Sequence, residues 1–201
     1  MVHSLGQRVP DEDQGIGSIA VEDFELATVV LAKDRKATAE FVARYADNVY
    51  GYVHARVAPR YEQVEDLVQE VFLSAWENLG RYRGAGPLEA WVMGIARHKI
   101  EGYYRARLRA PESIDDPDQV PVAPATASDV HDFLEQSELR KKTWEVLAQL
   151  SDQSRLALIW RYWDKASARE MAQKTGKTEK AIERLLARAR EEFRGRWNHG
   201  Q

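Results

Sequence analysis

Cysteine is absent from the 201 residues, which excludes a disulfide, a thiolate metal site and a thiol nucleophile. Histidine is scarce, with five residues scattered along the chain, so no metal site is expected. No apolar run approaches the roughly 18 residues of a membrane span, and no direct membrane insertion is expected. Asp11, Glu12 and Asp13 stand where a secretory signal needs hydrophobic residues, so the expected location is cytoplasmic. There is no phosphate-cradling glycine loop and no metal-ligand spacing. Neither a cofactor nor a catalytic residue is expected, and the chain does not read as an enzyme.

What is present is unevenly distributed. The net charge of −3 hides an acidic stretch and a basic end. Residues 110–132 hold six acids and no base, whereas 133–201 hold fifteen bases and ten acids. The C-terminal third is therefore a candidate for binding a polyanion. Four of the seven prolines, Pro111, Pro117, Pro121 and Pro124, fall in the acidic stretch beside Glu112, Asp115, Asp116 and Asp118, which reads as a linker.

Both sides of that linker carry helical periodicity, and no segment alternates like a strand. Helices are expected over 23–32, 37–57, 62–79 and 88–109, then over 129–150, 152–163, 168–175 and 179–194. Ser167 and Glu170 form a capping box, Gly176 ends that helix, and Thr178 can cap the next. Gly86 and Pro87 suit a cap and first helical position before Leu88. The expected architecture is all-α: a loose tail at 1–21, a helical domain at 22–109, an acidic Pro-rich linker at 110–132, and a second helical domain at 133–197 whose last two helices form a helix-turn-helix.

Three features carry functional meaning. In the last helix Ile182, Leu185, Leu186, Ala189 and Phe193 make an apolar face, opposite Lys180, Arg184, Arg188, Arg190 and Arg194. This suits a recognition helix in a major groove, with early residues near base edges and later arginines near phosphates. In the helix over 62–79, Val64, Leu67, Val68, Val71, Phe72, Ala75 and Trp76 form a buried face, while Asp66, Glu70, Leu73 and Glu77 share another stripe with Glu62, Glu65 and Gln69 beside it. Spacing alone demands no partner for that stripe, since acidic stripes usually face water. Between Arg81 and Arg109, Tyr82, Trp91, Tyr103 and Tyr104 interleave with Arg83, Arg97, Lys99, Arg105, Arg107 and Arg109. Such a mixture suits single-stranded nucleic acid, where rings stack on bases and cations hold the backbone. Trp91, with Leu88, Val92 and Ile95 around it, reads as core.

The string from Glu65 to Trp76, EDLVQEVFLSAW, closely resembles the second conserved region of extracytoplasmic-function (ECF) sigma factors. Tyr82-Arg83-Gly84, Trp91 and Ile95-Ala96-Arg97 continue that pattern. Leu150, Arg155, Arg161-Tyr162, Ser167, Glu170, Ala172, Gly176, Ile182, Leu186 and Arg188-Ala189-Arg190 resemble the fourth. The resemblance implies a transcription initiation factor that binds core RNA polymerase and promoter DNA and is restrained by an anti-sigma factor. Asp66, Gln69, Glu70, Leu73 and Glu77 would dock on polymerase. Tyr82, Arg83, Gly84, Arg97, His98, Lys99, Tyr103 and Arg105 would hold the melted minus-ten element. Ser167, Arg169, Thr178, Glu179, Lys180, Glu183, Arg184, Arg188 and Arg190 would meet the minus-thirty-five duplex.

The chain departs from the pattern at several points. His98 stands where asparagine is common, Glu183 and Arg184 where a base and a serine are usual, Lys165 where glycine is common, and Lys174 and Thr175 where apolar residues are. A polymerase-independent helix-turn-helix regulator would account for the C-terminal half, but not for the match around Asp66.

Overall fold

In a computed structural model, residues 13–110 and 134–199 are described; the expected linker lies outside them apart from Ala110. Among the described residues there is no strand. The first half comprises α1 (Asp13–Leu31), α2 (Arg35–Val57), α3 (Tyr61–Asn78), a 3-10 turn (Leu79–Arg81) and α4 (Leu88–Arg109). The second comprises α5 (Leu134–Ala148), α6 (Asp152–Leu158) running into a π turn (Ile159–Trp163), α7 (Ala168–Thr175) and α8 (Glu179–His199). Helix α1 starts at Asp13, inside the stretch expected as a tail, and buries Leu26, Ala27 and Val30 toward its end.

Apolar residues at helical spacing, every fourth position in α2 and α4 and every third or fourth in α3, build the first core. Phe41, Tyr45, Val49, Val53 and Val57 of α2 face Val64, Leu67, Val71, Phe72 and Ala75 of α3, and Leu88, Val92, Ala96, Ile100, Tyr104 and Leu108 of α4 close the layer. The Phe41 ring sits edge-on to Tyr45 and Phe72, at 5.3 and 6.1 Å. Each valine, leucine, isoleucine or phenylalanine among them contributes about 1.5–3 kcal/mol when buried. Asp34 starts α2 by accepting a hydrogen bond from the Ala37 amide at 2.8 Å. Trp76, expected in the buried face, is 38% exposed: it lies at the end of α3, where it lines a groove with Val30, Leu31, Val42 and Leu79.

In the second half the expected helix over 152–163 changes winding. The π turn shifts the phase of the side chains, so Trp160 points inward at 2% exposure while Tyr162 and Trp163 point outward at 59% and 46%. Lys165, in the turn ahead of α7, has φ 58°, the left-handed backbone for which glycine is the easy residue. The capping box forms as expected, with the Ser167 hydroxyl accepting from the Glu170 amide and the Glu170 carboxylate accepting from the Ser167 amide. Gly176, at φ 72°, ends α7, and the Thr178 hydroxyl accepts from the Ala181 amide at 3.2 Å to open α8. Helices α7 and α8 make the helix-turn-helix, and α4 packs against α6 and α7 to join the two halves.

Candidate polymerase and nucleic-acid interfaces

The period of α3 turns Val64, Leu67, Val71 and Ala75 inward and sets Asp66, Gln69, Glu70, Leu73 and Glu77 together on its outer face, all exposed. Leu73 is 55% exposed amid carboxylates. An apolar side chain presented this way, flanked by charges that set orientation, has the chemistry of a docking surface with a central anchor and a charged rim. Glu70 is bridged to Lys99 of α4 at 3.2 Å, so a residue of the acidic stripe and a residue of the basic α4 surface touch.

The loop from Tyr82 to Pro87 aims the start of α4. Tyr82 is only 6% exposed; its hydroxyl donates to the Gly86 carbonyl at 2.6 Å and its ring lies 5.9 Å from Trp91. It is a strut of the loop rather than an open stacking platform. Gly84, at φ 70°, needs its freedom for the turn. Pro87 occupies the cap position of α4 but offers no side-chain acceptor. The acceptor comes instead from Asp23 of α1, whose Oδ2 takes the Leu88 amide at 2.7 Å, in place of the local Gly86-Pro87 cap the sequence suggested. Asp23 also faces the Tyr45 hydroxyl at 3.4 Å and Arg44 at 3.9 Å. Burial first and the Asp23 charge second push the Tyr45 phenol up to about 12. Nothing local marks Asp23 as a cap, because its partner is 65 residues away.

Along α4, Arg83 just before it and Arg97 and His98 on it are exposed, while Lys99 and Arg105 are half-buried. Tyr103 is half-buried under the Arg107 guanidinium, 5.5 Å from its ring centre. Burial, then the nearby Asp152 charge, raises the Tyr103 phenol. Tyr104, grouped by sequence with the ring-and-base mixture, is fully buried 5.2 Å from Trp160 and belongs to the core.

In the helix-turn-helix the buried Ile182, Leu185, Leu186 and Ala189 fix which face of α8 is presented. Arg169, Thr178, Glu179, Lys180, Glu183, Arg184, Arg188 and Arg190 are exposed on it and on α7. Ser167 and Thr178 use their hydroxyls as helix caps, so their role in the site is to aim α7 and α8. The backbone hydrogen bond from Ser167 lowers the Glu170 pKa. Among the described residues, no group of three His, Cys, Asp or Glu is placed to hold a metal ion, and no helix is long and apolar enough to cross a membrane.

Residues 41–110 match the Sigma-70 region 2 family and residues 140–193 match Sigma-70, region 4. The chain is 33% identical over 133 residues to the ECF RNA polymerase sigma factor ShbA of Streptomyces griseus, covering 63% of this chain and 70% of that protein. This chain belongs to the ECF sigma factors. The sigma factor is also 24% identical over 162 residues to RNA polymerase sigma factor YlaC of Bacillus subtilis, covering 81% of this chain and 92% of the relative. Among solved structures it resembles the Bartonella quintana sigma factor RpoE, in complex with the anti-sigma factor NepR, at 20% identity and a TM-score of 0.42. That likeness covers 80% of this chain and 96% of the other. Region 2 of the sigma factor thus holds the α3 stripe and the α4 surface, and region 4 holds the helix-turn-helix.

Proposed function

We propose that this sigma factor binds core RNA polymerase through the outer face of α3, holds the melted minus-ten strand on the loop and outer face of α4, and sets α8 in the major groove of the minus-thirty-five duplex. The polymerase supplies the chemistry. The observation that carries the reading is the placement of an exposed leucine within an exposed acidic stripe, on a helix whose opposite face buries Val64, Leu67, Val71, Phe72 and Ala75. A protein partner would cover Leu73 and meet the carboxylates around it. Exposed Arg83, Arg97 and His98 supply cations and a ring for an unpaired strand, and the cations of α8 supply phosphate and base contacts. An anti-sigma factor is the further partner, by analogy with the Bartonella quintana relative, which is bound to one. The test is association with core polymerase followed by promoter-dependent run-off transcription. Association and promoter-specific transcripts are expected; DNA binding with no polymerase association would leave a helix-turn-helix regulator.

A further inference from the structure

The loop from Tyr82 to Pro87 and the helix that follows it share one joint. Leu88 closes the loop that carries Arg83 and Gly84 and opens the helix that carries Arg97 and His98, the two walls assigned above to the melted strand. From Leu88 to His98 the rise along α4 is about 15 Å. A tilt of about 5° at the joint therefore moves His98 by about 1 Å relative to Arg83. The spacing between the walls is only as well defined as the direction of the first turn of α4.

Apolar packing fixes where that joint lies, and hydrogen bonds fix how it points. The Leu88 side chain is fully buried, but the direction of the turn depends on what its backbone amides meet. Tyr82 braces the loop with its hydroxyl on the Gly86 carbonyl and its ring against Trp91. A ring contact tolerates sliding, whereas a short hydrogen bond is directional. The directional tie between the joint and the rest of the fold comes from α1, where two consecutive residues touch the two walls. Asp23 accepts from the Leu88 amide through Oδ2 at 2.7 Å, and Phe24 lies against the loop, where a Cβ on Gly84 would sit 3.6 Å from its ring. Asp23 is itself held, at 5% exposure, beside the Tyr45 hydroxyl and Arg44. A carboxylate also suits a helix start, where the aligned peptide dipoles present their positive end. A further tie at this turn, from Asn48 to Glu89 at 2.7 Å, is exposed and competes with water, so the buried one dominates.

We infer that Asp23 is a positioning residue for strand capture. From α1, ahead of the region 2 match at residues 41–110, its carboxylate sets the angle between the loop and α4, and with it the spacing from Arg83 to Arg97 and His98. So deeply covered, it has no surface to offer a nucleotide and acts only through the Leu88 amide. Binding groups need to be held within about 0.5 Å by supporting contacts of this kind, so loss of the cap falls on the strand. The outer face of α3 and the helix-turn-helix carry their own side chains on other elements, and their contacts do not pass through the joint. The inference rests on the proposed assignment of the loop and α4 to the melted strand.

The test compares the full chain with D23A and D23N, at a temperature where circular dichroism shows all three folded. Fluorescence anisotropy gives the affinity for a mixed-sequence single strand of about 20 nucleotides and for the corresponding duplex, and titration gives the affinity for core polymerase. D23A is expected to lose at least about fivefold on the single strand, the low end of typical coupling between sites, with duplex and core affinities unchanged. D23N keeps an acceptor oxygen for the Leu88 amide and is expected to keep the strand affinity of the wild type. Should D23A not fold, D23S, whose hydroxyl fits the same pocket but stops short of Leu88, carries the same expectation. Undiminished strand binding without the cap, an equal loss on duplex and polymerase, or a D23N protein as weak as D23A would each overturn the inference: the second outcome would make Asp23 a stability residue only, and the third would make its charge matter rather than its hydrogen bond. Run-off transcription by the wild type with core polymerase is measured alongside. Its failure would sink the proposed function, while the comparison of strand with duplex would still decide the role of Asp23.

Discussion

Replacing Asp23 by alanine removes a cap that α4 cannot replace locally. The Leu88 amide is an orphan donor of the first helical turn, Pro87 has no side chain to accept it, and the Asp23 carboxylate takes it at 2.7 Å in a pocket where Asp23 is 5% exposed. A hydrogen bond to a charged group contributes about 1.5–3 kcal/mol, and leaving its buried partner unsatisfied costs the same order. The expected loss for D23A is therefore about 2–3 kcal/mol, whereas D23N, which keeps an acceptor oxygen in place, is expected to lose under about 1 kcal/mol. The assay is urea unfolding of the three proteins together with hydrogen exchange at the Leu88 amide, which should speed up in D23A more than amides in α8. A D23A protein within about 0.5 kcal/mol of wild type, or with a Leu88 amide as protected as before, would refute the cap in trans.

D66K/E70K is expected to weaken core-polymerase binding by at least about thirtyfold, the low end for breaking interfacial charge contacts, with helical circular dichroism unchanged; titration with core enzyme checks it. R188A/R190A should weaken α8 on all duplexes alike and lower the salt slope by about 2, whereas K180A or R184A should change sequence preference; binding at several salt concentrations on a duplex library separates the two outcomes. H98N exchanges a ring with one donor and one acceptor for a fixed amide, and should alter preference at a single minus-ten position in run-off assays on a randomised library, with core affinity unchanged. Burial between Tyr50 and Tyr61 lowers the His54 pKa, so the folded state disfavours the proton. The stability it allows is full above the unfolded value of about 6.5 and falls as pH drops through that value toward the folded one; urea midpoints between pH 7.5 and 5.5 should fall less in H54Q, the two pH settings bracketing the histidine range of about 6.5.

Most of the fold was legible because it is local. Helices α4 and α7 have the bounds that periodicity and caps give, since Leu88–Arg109 and Ala168–Thr175 are framed by Pro87, Ser167 and Gly176. The acidic stripe of α3 was legible as a stripe, because its spacing is that of one helix. What escaped is what depends on a second element. Tyr82 and Tyr104 carry the composition of a stacking surface, yet one braces a loop against Trp91 and the other fills the seam against Trp160. Trp76 fits the apolar period of α3 but reaches the point where the neighbouring layer ends. Asp23, Asp152 and Asp164 look like ordinary surface acids until α4, α2 and the head of α3 are brought to them. Lys165 holds the left-handed backbone that glycine adopts easily, at a cost of about 1–2 kcal/mol.

The six tryptophans divide sharply by surroundings. Trp76 and Trp163 are wet, Trp91, Trp144 and Trp197 are half-covered, and Trp160 is sealed at the seam beside Tyr104. An indole in an apolar pocket emits at shorter wavelength than one in water, so Trp160 is an optical gauge of the seam already present in the chain. With no cysteine to label and none needed, the native fluorescence reports whether Trp160 stays covered as the protein is unfolded, and a single Trp160→Phe substitution identifies the part of the signal that belongs to the seam.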